Sequence, residues 1–402
     1  MWKDSKSRVV RIVLVFLLVA VLFVSLLTYV SRSQSSQKPV NDKVPAVLTE
    51  QPYTSALWNV TSIGLTEATD VSRGVVYDGN YVCWRVIDSE DFALTAFSLS
   101  NYTFRDVWNS NGSVAGGPGD IKVINGSVYA SYGYGACSGP LAYNTTIIES
   151  SDLNTWTEYC FSDTTSAESL AQYTGPGPFF GMIMYGGYCS MGYGTYAAIR
   201  AWNSTNNSEI DLFDGTVEGS DDVCFLTMFN STCMIGGDCA PSNIIYTNDG
   251  QNWTDEYSPE LQNTYTSQYA FVWGWAVYVS NSTAYVAEEN SPYAGGYAGL
   301  YNGGLMTWSG VGTTASIDYN MLMESISNGL VGGCGGLFTS SGDYGGPAVV
   351  YSYNPDGTLG SLIWKSGYAG SVKNLTYDLN TTAWYGTVLN MDSQEVQIIK
   401  IT

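Results

Sequence analysis

Two stretches place a hydroxyl residue, an aspartate and a tryptophan at the same spacing. Residues 146–159 read TIIESSDLNTWTEY and residues 244–257 read IIYTNDGQNWTDEY, so Ser150, Asp152 and Trp156 match Thr247, Asp249 and Trp253. An aspartate so placed can serve as a general acid or base, hold a cation, or accept the N–H groups of a tight turn. A second set of carboxylates, Asp70, Asp120, Asp163, Asp221, Asp222 and Asp318, recurs where short apolar runs begin. Such a set either caps turns or supplies the hard oxygen ligands that suit Ca²⁺. Tyr134 and Tyr193 stand in glycine-rich stretches nearby, with Tyr132, Tyr188, Tyr293, Tyr297 and Tyr344. Aromatic faces beside carboxylates suit a sugar or a protein surface, or serve as rigid loop packing.

What is absent narrows the chemistry further. The chain has no histidine, which removes Ser-His-Asp and Cys-His catalysis and His-ligated metals together. From residue 45 onward 8 basic residues face 34 acidic ones, a net charge of −26. No basic stripe is present to neutralise phosphates, so a nucleic-acid partner is excluded. No organic cofactor is expected.

The elements that must position these residues begin with an uncharged apolar run from Ile12 to Ser31. It is long enough to cross a bilayer as a helix, and it lacks a small-x-small cleavage site. The reading is a cytoplasmic tail over 1–11, a signal anchor over 12–31, a polar linker over 32–52 and an exported body over 53–402, in the membrane of a cell or virion. Twelve N-x-S/T sequons follow the anchor, at Asn59, Asn101, Asn111, Asn125, Asn144, Asn203, Asn206, Asn230, Asn252, Asn281, Asn374 and Asn380. All eight cysteines lie there too, as an oxidising exterior allows. Cys137 with Cys160, and Cys224 with Cys239 or Cys189, are the candidate disulfides, and spacing leaves their connectivity open.

Beyond the linker, short β-type runs alternate with Gly/Asn turns. They divide into units of strand, turn, strand, loop, strand, turn, strand at 71–108, 120–159, 163–214, 222–257, 264–309 and 320–364. Three more strands follow. Four-stranded units of this length mark an all-β propeller. A strand at 55–64 would complete a seventh blade with the last three, leaving no open edge; six blades is the alternative count.

The Asp and Trp turns resemble the Asp-box of sialidase-type (BNR) propellers. That resemblance implies a turn between the third and fourth strands, away from an active face. The composition also resembles surface glycoproteins of archaea and archaeal viruses. A sialidase would need arginines spread around the axis, whereas Arg73, Arg85 and Arg105 fall in one unit. Topology puts eight sequons on one face, and the aspartates and glycine-rich loops on the other. The expected role is a tethered, non-catalytic adhesion or binding module that meets a glycan or protein with the aspartate face. A carboxylate-dependent glycoside hydrolase acting on surface polysaccharide is the alternative.

Overall fold

A computed structural model describes residues 58–402 apart from 69, 88–90, 111–116, 134–144, 162–166, 191–194, 215–222, 240–241, 258–271, 281–282, 291–297, 302–305, 310–320, 336–345 and 355–358. The expected anchor over 12–31 lies outside these residues. Among them no helix is long and apolar enough to cross a membrane.

Every regular element among the described residues is a strand. After β1 (Val60–Glu67) come four-stranded antiparallel sheets that follow the sequence units closely. The first holds β2 (Asp70–Tyr77), β3 (Asn80–Val86), β4 (Phe92–Ser98) and β5 (Phe104–Asn109). The second holds β6 (Pro118–Ile124), β7 (Ser127–Tyr132), β8 (Thr146–Ser150) and β9 (Thr157–Cys160). The third holds β10 (Ser169–Gln172), β11 (Ile183–Ser190), β12 (Thr195–Asn203) and β13 (Ser208–Asp214). The fourth holds β14 (Val223–Met228), β15 (Met234–Cys239), β16 (Ser242–Thr247) and β17 (Trp253–Tyr257). The fifth holds β18 (Val272–Ser280), β19 (Thr283–Asn290), β20 (Ala298–Tyr301) and β21 (Met306–Ser309).

The remaining strands are β22 (Met321–Ser327), β23 (Leu330–Gly335), β24 (Pro347–Tyr353), β25 (Leu359–Asp378), β26 (Ala383–Asn390) and β27 (Glu395–Ile401). They join β1 in one sheet because β25 serves twice. Its first part pairs with β24, and its residues from Gly370 onward pair with β26. The expected closing strand is present but displaced from 55–64: β1 pairs with β27 from Val60↔Ile401 to Glu67↔Glu395.

The innermost strands β2, β6, β10, β14, β18, β22 and the second part of β25 neighbour one another in a closed ring. This is a β-propeller. Its core is divided into layers between adjacent sheets, which explains the strand compositions. Middle strands are covered on both faces, and FALTAFS of β4 is accordingly buried over six consecutive residues. Outer strands such as β9, TEYC, are largely exposed. Between the first two sheets, Val82, Trp84 and Leu94 pack on Ile121, Val128 and Ile148. Trp84, Phe92, Trp108 and Tyr132 interlock there, with ring centroids 5.1–6.3 Å apart and mostly edge-to-face. Tyr132, expected in a displayed loop, is thus a core residue.

Two of these layers carry one repeated device. Ser169 Oγ donates to the Gly186 and Val223 carbonyls, and Ser325 Oγ donates to those of Gly332 and Val372. Each hydroxyl therefore ties its own sheet to the next one. A Cβ on Gly186 or Gly332 would stand 2.7 Å from a methyl of Val223 or Val372, so only glycine lets the sheets approach this closely.

Turns joining first to second and third to fourth strands share one face by antiparallel alternation. Asn101, Asn125, Asn203, Asn206, Asn230, Asn252 and Asn380 all occupy such turns, and Asn59 precedes β1 on the same side. The hydroxyl two residues on has a local role in two of them. Thr103 Oγ1 and Thr232 Oγ1 donate to Asn101 Oδ1 at 2.7 Å and to Asn230 Oδ1 at 2.9 Å. Part of the sequon pattern is therefore turn chemistry. Asn374 is a correction. It lies within β25, where Nδ2 donates to Gly74 O, Tyr81 Oη and Thr376 Oγ1 at 2.8–3.1 Å. The nitrogen a glycan would require is committed inside the fold. Asn111, Asn144 and Asn281 lie outside the described residues.

Candidate functional site

The repeated Asp and Trp turns are scaffold. Ser150 Oγ accepts the Leu153 N–H at 2.9 Å, and Thr247 Oγ1 accepts the Gly250 N–H at 2.9 Å. Asp152 Oδ1 accepts the N–H groups of Asn154 and Thr155, both at 2.8 Å. Asp249 Oδ1 does the same for Gln251 at 2.9 Å and Asn252 at 2.7 Å. Leu153 adopts φ +58° where the other turn has Gly250 at φ +77°, so the absent glycine is replaced at some backbone strain. The Asn252 N–H and side chain hold the Asp249 carboxyl down to about 2. Both aspartates are therefore spent on the backbone, at the outer part of their sheets.

The chemistry collects around the axis. Six inner strands carry a β-bulge, at Val71/Gly74, Pro118/Ile121, Val223/Phe225, Gly274/Ala276, Met323/Ser325 and Val372/Asn374. The residue released just before pairing resumes is Arg73, Asp120, Cys224, Trp275, Glu324 or Lys373 respectively. A bulge leaves one residue unpaired and re-aims its side chain, which is how charge reaches the middle of a ring of strands.

Asp120 is fully buried. Its Oδ2 lies 3.2 Å from both Arg73 Nη1 and Lys122 Nζ and accepts the Leu170 N–H at 2.9 Å; its Oδ1 accepts the Ile121 N–H at 2.9 Å. Burial by itself would raise the carboxyl's pKa, but Lys122, Arg73 and the Leu170 N–H outweigh it and hold the group below its ordinary value. Arg73 also reaches across the axis, donating Nη1 to the Glu168 carbonyl at 2.9 Å and Nη2 to that of Cys224. One guanidinium thus joins the first, third and fourth sheets to the carboxylate of the second.

These groups wall a cavity of about 470 Å³. Arg73, Asp120, Lys122, Lys373, Asn374 and Thr376 line it, and Leu379, 81% exposed, stands at its rim. Asn328 and Leu379 belong to the β22–β23 and β25–β26 turns, whereas Asp70, at the far end of β2, takes no part. The cavity therefore lies toward the face that carries the sequon turns, opposite the face where a site was expected.

Other sequence candidates fare differently. Asp70 is exposed and its Oδ1 accepts the N–H of the next residue, Val71. Counting back from the turns, Asp120 occupies the place of Arg73, so Asp70 and Asp120 do not share a ring. The cations that Asp120 meets are the Arg73 and Lys122 side chains, and its two oxygens also accept the Leu170 and Ile121 N–H groups. Asp163, Asp221, Asp222, Asp318, Tyr134 and Tyr193 lie outside the described residues. Among the described residues no cluster of three or more carboxylates or thiols gathers to hold a metal ion. Cys160 and Cys224 are disulfide-bonded. Cys137 lies outside the described residues, as do the side chains of Cys189 and Cys239. Cys83 is a buried free thiol, pushed up to about 12 by burial and by Asp106, against the pull of Arg85.

Sequence reading missed Arg73, Lys122 and Lys373. The available signal was that three of only eight basic residues in the body fall in first strands, a few residues ahead of a turn.

An all-β propeller with a polar central cavity is the class these features define. No family model matches the chain, and no curated protein matches its sequence. Among solved structures it is similar to a chain of the mitotic checkpoint complex, with TM-score 0.52 at 12% identity over 89% of this chain and 98% of that one. The WD40 repeats of RRP9 give TM-score 0.49 at 10% identity over 88% and 99% of the two chains. Sqt1 of Saccharomyces cerevisiae gives 0.49 at 11% over 84% and 87%. At such identities the likeness is one of fold.

Proposed function

We propose that this chain is a membrane-anchored extracellular glycoprotein, of a cell or a virion envelope, whose seven-bladed propeller is a non-catalytic binding or adhesion module. The observation that carries this reading is the sidedness of the sequons. Eight described sequon asparagines share the face on which β1 begins, and β1 follows the linker from the uncharged run over 12–31. Tethered and glycosylated on that side, the propeller presents its opposite face outward to a protein or glycan. The Asp and Trp turns fit an Asp-box ancestry on the same grounds of position and hydrogen bonding.

The hydrolase alternative is less favoured. A glycosidase needs two carboxyl groups flanking the scissile bond, one of them with a raised pKa. Among the described residues the carboxylate lining the cavity is Asp120, which is charge-compensated and held low.

The test is to produce the full chain in a glycosylating host and measure binding to immobilised cells and glycans beside release of reducing sugar. Saturable binding without turnover supports the module. Sugar release that vanishes in Asp120→Asn, with the fold intact, would overturn it.

A further inference from the structure

The central cavity holds a concentration of positive charge that the rest of the body lacks. Two other arginines lie against acids, Arg85 Nη2 at 2.8 Å from Asp106 Oδ2 and Arg200 Nε at 2.8 Å from Asp211 Oδ1, and Arg105 Nη1 donates to Asn154 Oδ1. In the cavity Arg73, Lys122 and Lys373 accompany one described carboxylate, Asp120. A protein of net charge −21 repels anions at large, so this excess is a local and specific inversion of sign.

We propose that the cavity binds a tetrahedral oxyanion, the phosphate or sulfate of a small monoester. The three cations come from three consecutive inner strands: Lys373 from β25, Arg73 from β2 and Lys122 from β6. They thus approach one volume from neighbouring directions, which suits an anion with three outward oxygens better than a planar carboxylate. Asp120 orients Arg73 and Lys122 from behind, and the Thr227 hydroxyl and the Asn328 amide NH2 face the remainder of the ligand, whereas Thr376 Oγ1 is committed to the Gly74 carbonyl. A volume of about 470 Å³ matches a small-molecule site and admits a phosphorylated hexose. Because the mouth lies on the β1 side, with exposed Leu379 beside it, the same headgroup chemistry could arrive as a soluble ester or on an anionic phospholipid. This site is separate from the outward face invoked above and does not rest on the adhesion reading.

The test uses the full chain in non-ionic detergent and isothermal titration at low ionic strength with glucose 6-phosphate, inorganic phosphate and glucose. A parallel arm measures co-sedimentation with phosphatidic acid vesicles and with neutral phosphatidylcholine vesicles. Saturable binding of glucose 6-phosphate and not glucose, weakened at least tenfold by Lys373→Met and by Lys122→Met but not by Lys365→Met outside the cavity, supports the site. Retention on phosphatidic acid vesicles that depends on the same two lysines identifies the lipid source; its absence with ester binding intact identifies the soluble one. No binding of either phosphate probe, or binding indifferent to both lysines in variants that melt like the wild type, overturns the proposal.

Discussion

Replacing Asp120 by asparagine tests whether the axis is held together by charge. The side chain keeps its shape and one acceptor oxygen, so the change removes the charge and one of the two acceptors that the Ile121 and Leu170 N–H groups use. Losing one member of a buried ion pair costs about 3–5 kcal/mol. Here the two cations left behind are 21% and 41% exposed, so water recovers part of that loss. A cost of about 2 kcal/mol remains after discounting for that solvation. For a chain of this size that corresponds to a fall in Tm of about 3 °C. The pH dependence gives a second reading. The native carboxyl sits below its unfolded value, so its contribution is fully present above about pH 4 and is lost as pH falls through the folded pKa. Melting followed by tryptophan fluorescence should therefore show a gap between wild type and Asp120→Asn at pH 7. The gap should close on acidification. Equal melting at pH 7, or a gap that persists unchanged in strong acid, would refute the reasoning.

Four further outcomes follow from other parts of the fold. Ser325→Ala removes the hydroxyl that bridges Gly332 and Val372 and should cost about 1 kcal/mol; adding Ser169→Ala should lower Tm additively, because the two bridges share no partner. Asp249→Ala frees the N–H groups of Gln251 and Asn252, so hydrogen exchange over 247–257 should accelerate; the carboxyl's contribution, present above about pH 4, should vanish in the wild type as pH falls through about 2. Cys83 should resist iodoacetamide at pH 8 in the native protein and react on unfolding, as mass spectrometry would read. Glycopeptide mapping should find sugar on turn sites such as Asn230 and none on Asn374, whose amide is bonded within the fold.

The propeller was legible because its grammar is local. Turns such as Asp78-Gly79 and Asn125-Gly126 adopt the positive φ values that Asn, Asp and Gly tolerate, and apolar runs fall between them. The missing partner for the last three strands was inferred from edge chemistry, and β1 supplies it some residues later than expected. The two roles of β25 were separated in the sequence, since the sixth unit ends at 364 and the next three strands follow it; what was not visible is that the backbone stays extended through the handover, making one continuous strand of the two. The axial cavity went unread for a related reason. A bulge shifts side-chain direction by a single residue, and no residue type announces it. Asp120 therefore read as the start of a strand, when it is the released residue of a bulge at the axis. Arg73 and Lys373 read as ordinary strand positions.

The pairing of β1 with β27 also sets a clock. Val60 finds its partner in Ile401, and Asn59 exchanges backbone hydrogen bonds with Thr402, across nearly the whole propeller sequence. A contact between positions so far apart comes late, since it repays its ordering only after the intervening chain is in place. The strand that emerges first thus waits, unpaired, for the one that emerges last. Through that interval both edges of the unfinished ring are open to a wrong partner, and a neighbouring copy offering its own last strand would fit as well as the chain's own.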